Sequence, residues 1–174
     1  MKKVLIYGYG NPGRQDDGLG VLLASRMEDW AQKNAQLSMD FESSYQLNIE
    51  DALTISEYDM VLFADASVED LEDFGLSRVK PNQKIEFTMH AMSPEFVLHL
   101  CQSLYNKFPE TFLIHIKGYS FEFMESITEK AKENLEKSID FLMDSFSKSS
   151  IPEEVFESYI SEYKENLKST YHEP

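Results

Sequence analysis

Residues 3–20 read KVLIYGYGNPGRQDDGLG. The run KVLIY at 3–7 is apolar without alternation, the pattern of a parallel strand buried on both faces, and Gly8 ends it. Beyond the loop, Leu19, Leu22, Leu23, Met27 and Trp30 recur at helical spacing and predict a helix over 17–34. A buried strand, a glycine-rich loop and an amphipathic helix, in that order, open an α/β layered fold. The loop itself reads two ways. Gly8, Gly10 and Gly13 fit G-x-G-x-x-G, which cradles a pyrophosphate at a helix N-terminus. Asp16 and Asp17 set two negative charges where that pyrophosphate would lie, and suit a cation instead.

Outward from the loop, strands and helices alternate. Residues 37–41 form a weak second strand, and Asn48 is placed to cap a short helix through 55. MVLFA at 60–64 is a third, buried strand, ended by Asp65. A charged loop is expected over 67–82 and a fourth strand over 84–88. Ser93-Pro94 opens a helix running to 107, with proline in its first turn, and 112–116 is a fifth strand. Ser126-x-x-Glu129 and Ser150-x-x-Glu153 are capping-box patterns, opening helices to 146 and to 168. The expected fold is a three-layer α/β sandwich with a mainly parallel, twisted, five-stranded sheet flanked by helices. The expected organisation is one α/β domain over 1–148 and a C-terminal helical extension over 149–174. In that extension Val155, Phe156, Tyr159, Ile160, Tyr163 and Leu167 make an apolar stripe, expected to pack on the chain's own core.

Composition narrows the function classes. The 174 residues carry 16 Lys and Arg against 31 Asp and Glu, a formal charge of −15. Such a surface repels phosphate backbones, and no basic patch interrupts it, so no nucleic-acid partner is expected. No apolar run reaches membrane-spanning length, and no signal-peptide pattern opens the sequence. Cys101 is the only cysteine, which removes an intrachain disulfide and a cysteine-based zinc cluster. A cytoplasmic monomer without an organic cofactor is the expectation. No G-x-S-x-G, H-E-x-x-H or C-x-x-C occurs.

The remaining chemistry gathers at strand ends. In parallel sheets ligands bind beyond the carboxyl ends of the strands. Asp17 follows the first strand, Asp65 ends the third, and His90 follows the fourth. Two carboxylates and an imidazole leave coordination positions open, a set suited to a divalent transition ion such as Zn²⁺ or Ni²⁺. Each acid also has a plainer role: Asp16 or Asp17 as the cap of the first helix, Asp65 as the start of a turn. A dinucleotide site would instead need an acid after the second strand, for which Asp40 or Glu42 is available. His115 within a strand, His99 on a helix border and His172 near the end are weaker candidates. Cys101 shares an apolar helix face with Phe96, Val97, Leu100 and Leu104, which points to packing.

Two families share parts of this pattern. Gly8-Tyr9-Gly10-Asn11-Pro12-Gly13 is similar to the opening of peptidyl-tRNA hydrolases, but no histidine occurs before His90, and the acidic surface opposes tRNA. Gly8-x-Gly10-Asn11-(x)4-Asp16-Asp17-Gly18-x-Gly20 resembles the opening of the [NiFe]-hydrogenase maturation endopeptidases. Phe63-Ala64-Asp65-Ala66 and Met89-His90-Ala91-Met92-Ser93-Pro94 resemble that family's second and third metal-ligand motifs, and residues 118–135 its end. The likeness covers residues 1–146.

The resemblance implies an α/β protein that removes a C-terminal extension from the hydrogenase large-subunit precursor after nickel insertion. It implies Asp17, Asp65 and His90 as metal ligands and catalytic residues, with Asp16 as a capping or supporting residue. The nickel would arrive with the precursor and complete its coordination on these three side chains. Two departures are visible. Glu95 stands where some members carry the metal-binding histidine, and reads as an ordinary first-turn acid, with a substitute ligand as the alternative. Residues 42–46, ESSYQ, replace an Asp-Gly-Gly-Thr-like loop expected to contact substrate. A metal-binding accessory protein without cleavage activity and a nucleotide-binding α/β enzyme are the alternative readings.

Overall fold

The computed structural model describes residues 2–34, 38–84, 92–148 and 152–170, with side chains to 164 in the last segment. Its elements are β1 (Val4–Tyr9), α1 (Leu19–Gln32), β2 (Met39–Ser44), α2 (Asp51–Ile55), β3 (Met60–Ser67), β4 (Phe74–Arg78), α3 (Pro94–Tyr105), β5 (Glu110–Lys117), α4 (Glu129–Lys148) and α5 (Pro152–Thr170). The strands form one sheet in the order β2-β1-β3-β5-β4. All neighbours run parallel except β4, which is antiparallel to β5. The expected mainly parallel five-stranded α/β sheet is what the chain forms.

Two cores sandwich the sheet. Ile6, Leu62, Ala64, Phe112 and Ile114 face α1, α4 and α5, while Leu5, Tyr7, Val61, Phe63 and Leu113 face α2 and α3. The central strands supply apolar residues to both faces, which is why their sequences lack alternation. Leu19, Leu23, Ala24 and Met27 form the buried stripe of α1. Phe156 and Ile160 of α5 are buried in the α1/α4 core, with Phe156 edge-on to Phe112 and Tyr159 stacked on Phe74. Among the described residues no helix is long and apolar enough to cross a membrane.

Several local expectations are corrected. The expected charged loop over 67–82 contains β4, whose Phe74 and Leu76 enter the core. The strand is short and lies at a sheet edge, and the acids Glu69, Asp70, Glu72 and Asp73 before it mask its two-residue period. The strand expected over 84–88 falls, apart from Lys84, outside the described residues.

Helix starts also differ. No side chain caps α1, which is entered through a 3₁₀ turn, Gln15–Gly18. At α4 the Thr128 hydroxyl, not Ser126, accepts from the Ala131 N–H at 3.3 Å. Ahead of α2, the Asp51 carboxylate accepts from the Asn48 N–H, whereas the Asn48 amide turns back to the Gln46 carbonyl. Ser93 does cap α3, accepting from Phe96 N–H.

The order β2-β1-β3 puts a reversal at β1: the chain first steps to one side, then returns to the other. A crevice opens at such a point beyond the carboxyl ends of β1 and β3. Those ends carry the loop to Asp17 and Asp65 itself.

Candidate active site

The glycines of the β1–α1 loop are occupied by the protein's own backbone. A Cβ on Gly10, whose φ is +130°, would lie 2.1 Å from the Asp17 carbonyl oxygen. A Cβ on Gly20 would meet the Ala64 carbonyl oxygen at 2.2 Å. In a dinucleotide fold the second glycine of the motif leaves room for the pyrophosphate. Here the Asp17 carbonyl fills that room, so the glycines serve close packing of α1 on β1 and β3. The nucleotide reading loses its structural basis.

The two adjacent aspartates diverge. Asp16 is fully buried, and its carboxylate accepts from the N–H groups of Tyr119 (2.8 Å), Ser120 (3.1 Å) and Thr128 (2.7 Å) and from the Thr128 hydroxyl (2.8 Å). It therefore caps the approach to α4 rather than to α1, and ties the loop to the β5–α4 connection. Met124 N–H to Gly13 carbonyl and Asp16 N–H to Ser120 carbonyl strengthen the same clasp. Asp17 turns the other way, is half-buried, and accepts from the Asn11 N–H at 2.9 Å.

Asp65 lies at the end of β3, facing α3 in the same row as Tyr9 and His115. Burial pushes its carboxyl up to about 7, and the Asp17 charge adds to that rise. The nearby Tyr9 hydroxyl and Ala66 backbone N–H act in the opposite sense. Burial and the Asp65 charge together hold the Tyr9 phenol well above its ordinary value, so it remains a donor. The structure thus brings Asp17 and Asp65 together at the switch point. A carboxylate whose proton affinity is raised by burial and by a neighbouring carboxylate, as that of Asp65 is, gains from a cation beside it. Among the described residues, however, no group of three or more His, Cys, Asp and Glu is arranged to hold a metal. His90 lies outside the described residues.

Tyr9 is not a site residue by the sequence reading, and Glu95 enters it only as the alternative ligand. Tyr9 continues the Tyr7 side of β1, and the alternation of a strand end was its available signal. Glu95, in the first turn of α3, acts electrostatically on both Tyr9 and His115. His115 is not simply a core residue: Nε2 is 2.9 Å from Ser77 Oγ, and Nδ1 is 3.7 Å from a Glu69 carboxylate oxygen. Burial lowers its pKa and keeps it neutral near pH 7. His99 contacts Ser103 and Phe96 on α3. Cys101 is buried in the α2/α3 core, its thiol pushed up to about 11 by burial. His172 lies outside the described residues.

No protein-family model matches the sequence. A search of curated proteins by sequence gives no match. Comparison by structure gives a consistent answer. The hydrogenase maturation protease HycI from Thermococcus kodakarensis superposes with a TM-score of 0.66 at 20% identity, over 82% of this chain and 91% of that one. The maturating endopeptidase HybD from E. coli gives 0.65 at 17% identity, over 85% and 94%. The HycI endopeptidase from Escherichia coli gives 0.59 at 22% identity, over 82% and 89%. The chain has the fold of the [NiFe]-hydrogenase maturation proteases. That fold sets the β1–α1 loop beside the end of β3, so the first two of the motifs that raised the resemblance are neighbours; His90 of the third lies outside the described residues.

Proposed function

We propose that this protein is the endopeptidase that removes the C-terminal extension of a [NiFe]-hydrogenase large-subunit precursor after nickel insertion. The convergence of Asp17 and Asp65 at the switch point, on the maturation-protease fold, is the observation that carries the reading. The nickel is part of the substrate. Asp17 and Asp65 offer hard, anionic oxygen donors, and His90 is proposed as the third donor. Such a sparse set binds a free ion weakly but can complete the coordination of an ion already held by the precursor. Recognition then depends on whether the metal has been loaded.

The chain's own groups divide the remaining work. Asn11 N–H and the Gly10 turn fix the Asp17 carboxylate. The Tyr9 hydroxyl favours the charged form of Asp65, whose pKa of about 7 lets it take up or release a proton near neutral pH. The accessory-protein reading keeps the same site without cleavage. Incubation with nickel-loaded and nickel-free precursor, followed by intact mass, separates the two. Loss of a C-terminal fragment from the loaded form alone is expected; association without any mass change would overturn the endopeptidase reading.

A further inference from the structure

β2 is an edge strand, and its outward backbone groups can be assigned. Ser38 carbonyl accepts from Val4 N–H, and Ser44 carbonyl from Gly10 N–H. In a strand the N–H and C=O of one residue point to the same side, and successive residues alternate. The even-numbered residues of β2 therefore address β1, while Met39, Phe41 and Ser43 direct their N–H and C=O away from the sheet. Among the described residues nothing pairs with Phe41 or Ser43 on that side.

Beside this edge runs a groove. One depression of about 350 Å³ lies between Val21, Ser25 and Glu28 of α1 and Phe41 and Ser43 of β2. A second, of about 290 Å³, continues it past Val21 and Ser43 to Gly10, Pro12 and Tyr45. Its upper end reaches the catalytic loop, since a Cβ on Gly10 would stand 3.8 Å from the Asp17 carboxyl carbon. The walls are acidic on both sides of the strand. Glu28 stands on the α1 face, and the Glu42 charge acts on Tyr7 and Tyr58 on the opposite face. Among the described residues neither Glu28 nor Glu42 has an ion-pair partner.

We propose that an extended, basic peptide segment adds to the open edge of β2 as a further strand, lying in this groove and leading to Asp17. Open backbone groups supply its affinity, as in other strand additions. A strand laid there alternates its side chains between the two faces, so lysine or arginine at either parity meets an acid. The groove beside residues 41–45 accommodates about five residues at ~3.3 Å each. The identity of the segment rests on the endopeptidase reading: it is the part of the precursor next to its cleavage junction.

The test replaces Ser43 by proline. The Ser43 N–H is not used by the sheet, so Ser43→Pro removes an outward donor from an edge strand that tolerates it. With nickel-loaded precursor as substrate, KM is expected to rise about tenfold while kcat changes less than about twofold. An unchanged KM overturns the proposal while leaving the endopeptidase reading intact. Should Ser43→Pro fail to fold, Glu28→Lys is expected to raise KM about fivefold, more at low salt, and no change there is equally decisive.

If the wild-type protein cuts no precursor, the endopeptidase reading fails, and the groove is judged separately. Amide exchange at Phe41 and Ser43 is then measured with the capped peptide Lys-Val-Thr-Val-Lys. Slowed exchange at these two amides supports strand addition, and unchanged exchange overturns it.

Discussion

Asp16 and Asp17 are neighbours in sequence and opposites in physics. Asp16 belongs to the clasp between the β1–α1 loop and the β5–α4 connection, where four donors satisfy one buried carboxylate. Asp17 belongs to the mouth, where its charge adds to the raised proton affinity of Asp65. The clasp is stabilised by its hydrogen bonds. The mouth is strained by its charges and gains when a cation or a proton arrives. The contrast separates folding from function: the carboxylate with four donors holds the loop, and Asp17 and Asp65 are left for the mouth.

The largest effect expected from this contrast is at Asp65. Asp65→Asn should lower processing by a factor of ~1,000 or more, because a ligand and a titrating group are lost together. The same variant should be more stable than wild type at pH 8, by about 1–3 kcal/mol in chemical denaturation. The sign follows from the raised pKa: the folded protein holds this proton more tightly than the unfolded chain. That contribution is complete below about pH 4 and is lost as pH rises through about 7. Wild-type stability should fall across this window, and Asp65→Asn should flatten the fall. A destabilised Asp65→Asn at pH 8 would break the contrast.

Asp16→Asn tests the other side. It leaves the N–H groups of Tyr119, Ser120 and Thr128 competing for one neutral oxygen beside a buried side chain, and should cost about 3 kcal/mol in chemical denaturation. Gly20→Ala tests the joint between the regions. Its Cβ would press on the Ala64 carbonyl next to Asp65, which should cost about 2–3 kcal/mol and lower processing through displacement of the pair. The smallest effect is expected for Tyr9→Phe. Loss of the hydroxyl raises the Asp65 pKa further, so processing should drop about fivefold and its acid limb should move to higher pH. An unshifted pH profile would remove Tyr9 from the site.

Much of the fold was legible because the central strands hold short, mostly apolar runs, and because α1 shows a clear helical stripe. β4 was not, since five residues at an edge carry little periodic signal beside a run of acids. Asp17 and Asp65 were legible through their place at strand ends. The role of Asp16 was not: its partners are more than 100 residues away in sequence. Local capping rules see only the nearest helix, and they offered one or the other of the two as the cap of α1. The outward edge of β2 was hidden for a similar reason. Which backbone groups stay open depends on the ladder with β1, which composition does not encode.

The central claim is that Asp17 and Asp65 act together on a nickel-loaded precursor. Intact mass of the precursor, followed over time with wild type, Asp17→Asn and Asp65→Asn at equal folded concentration, tests it most directly. The account predicts removal of one C-terminal fragment by wild type, dependent on nickel in the precursor, and none by either variant. Processing of nickel-loaded precursor at the wild-type rate by either variant would contradict it.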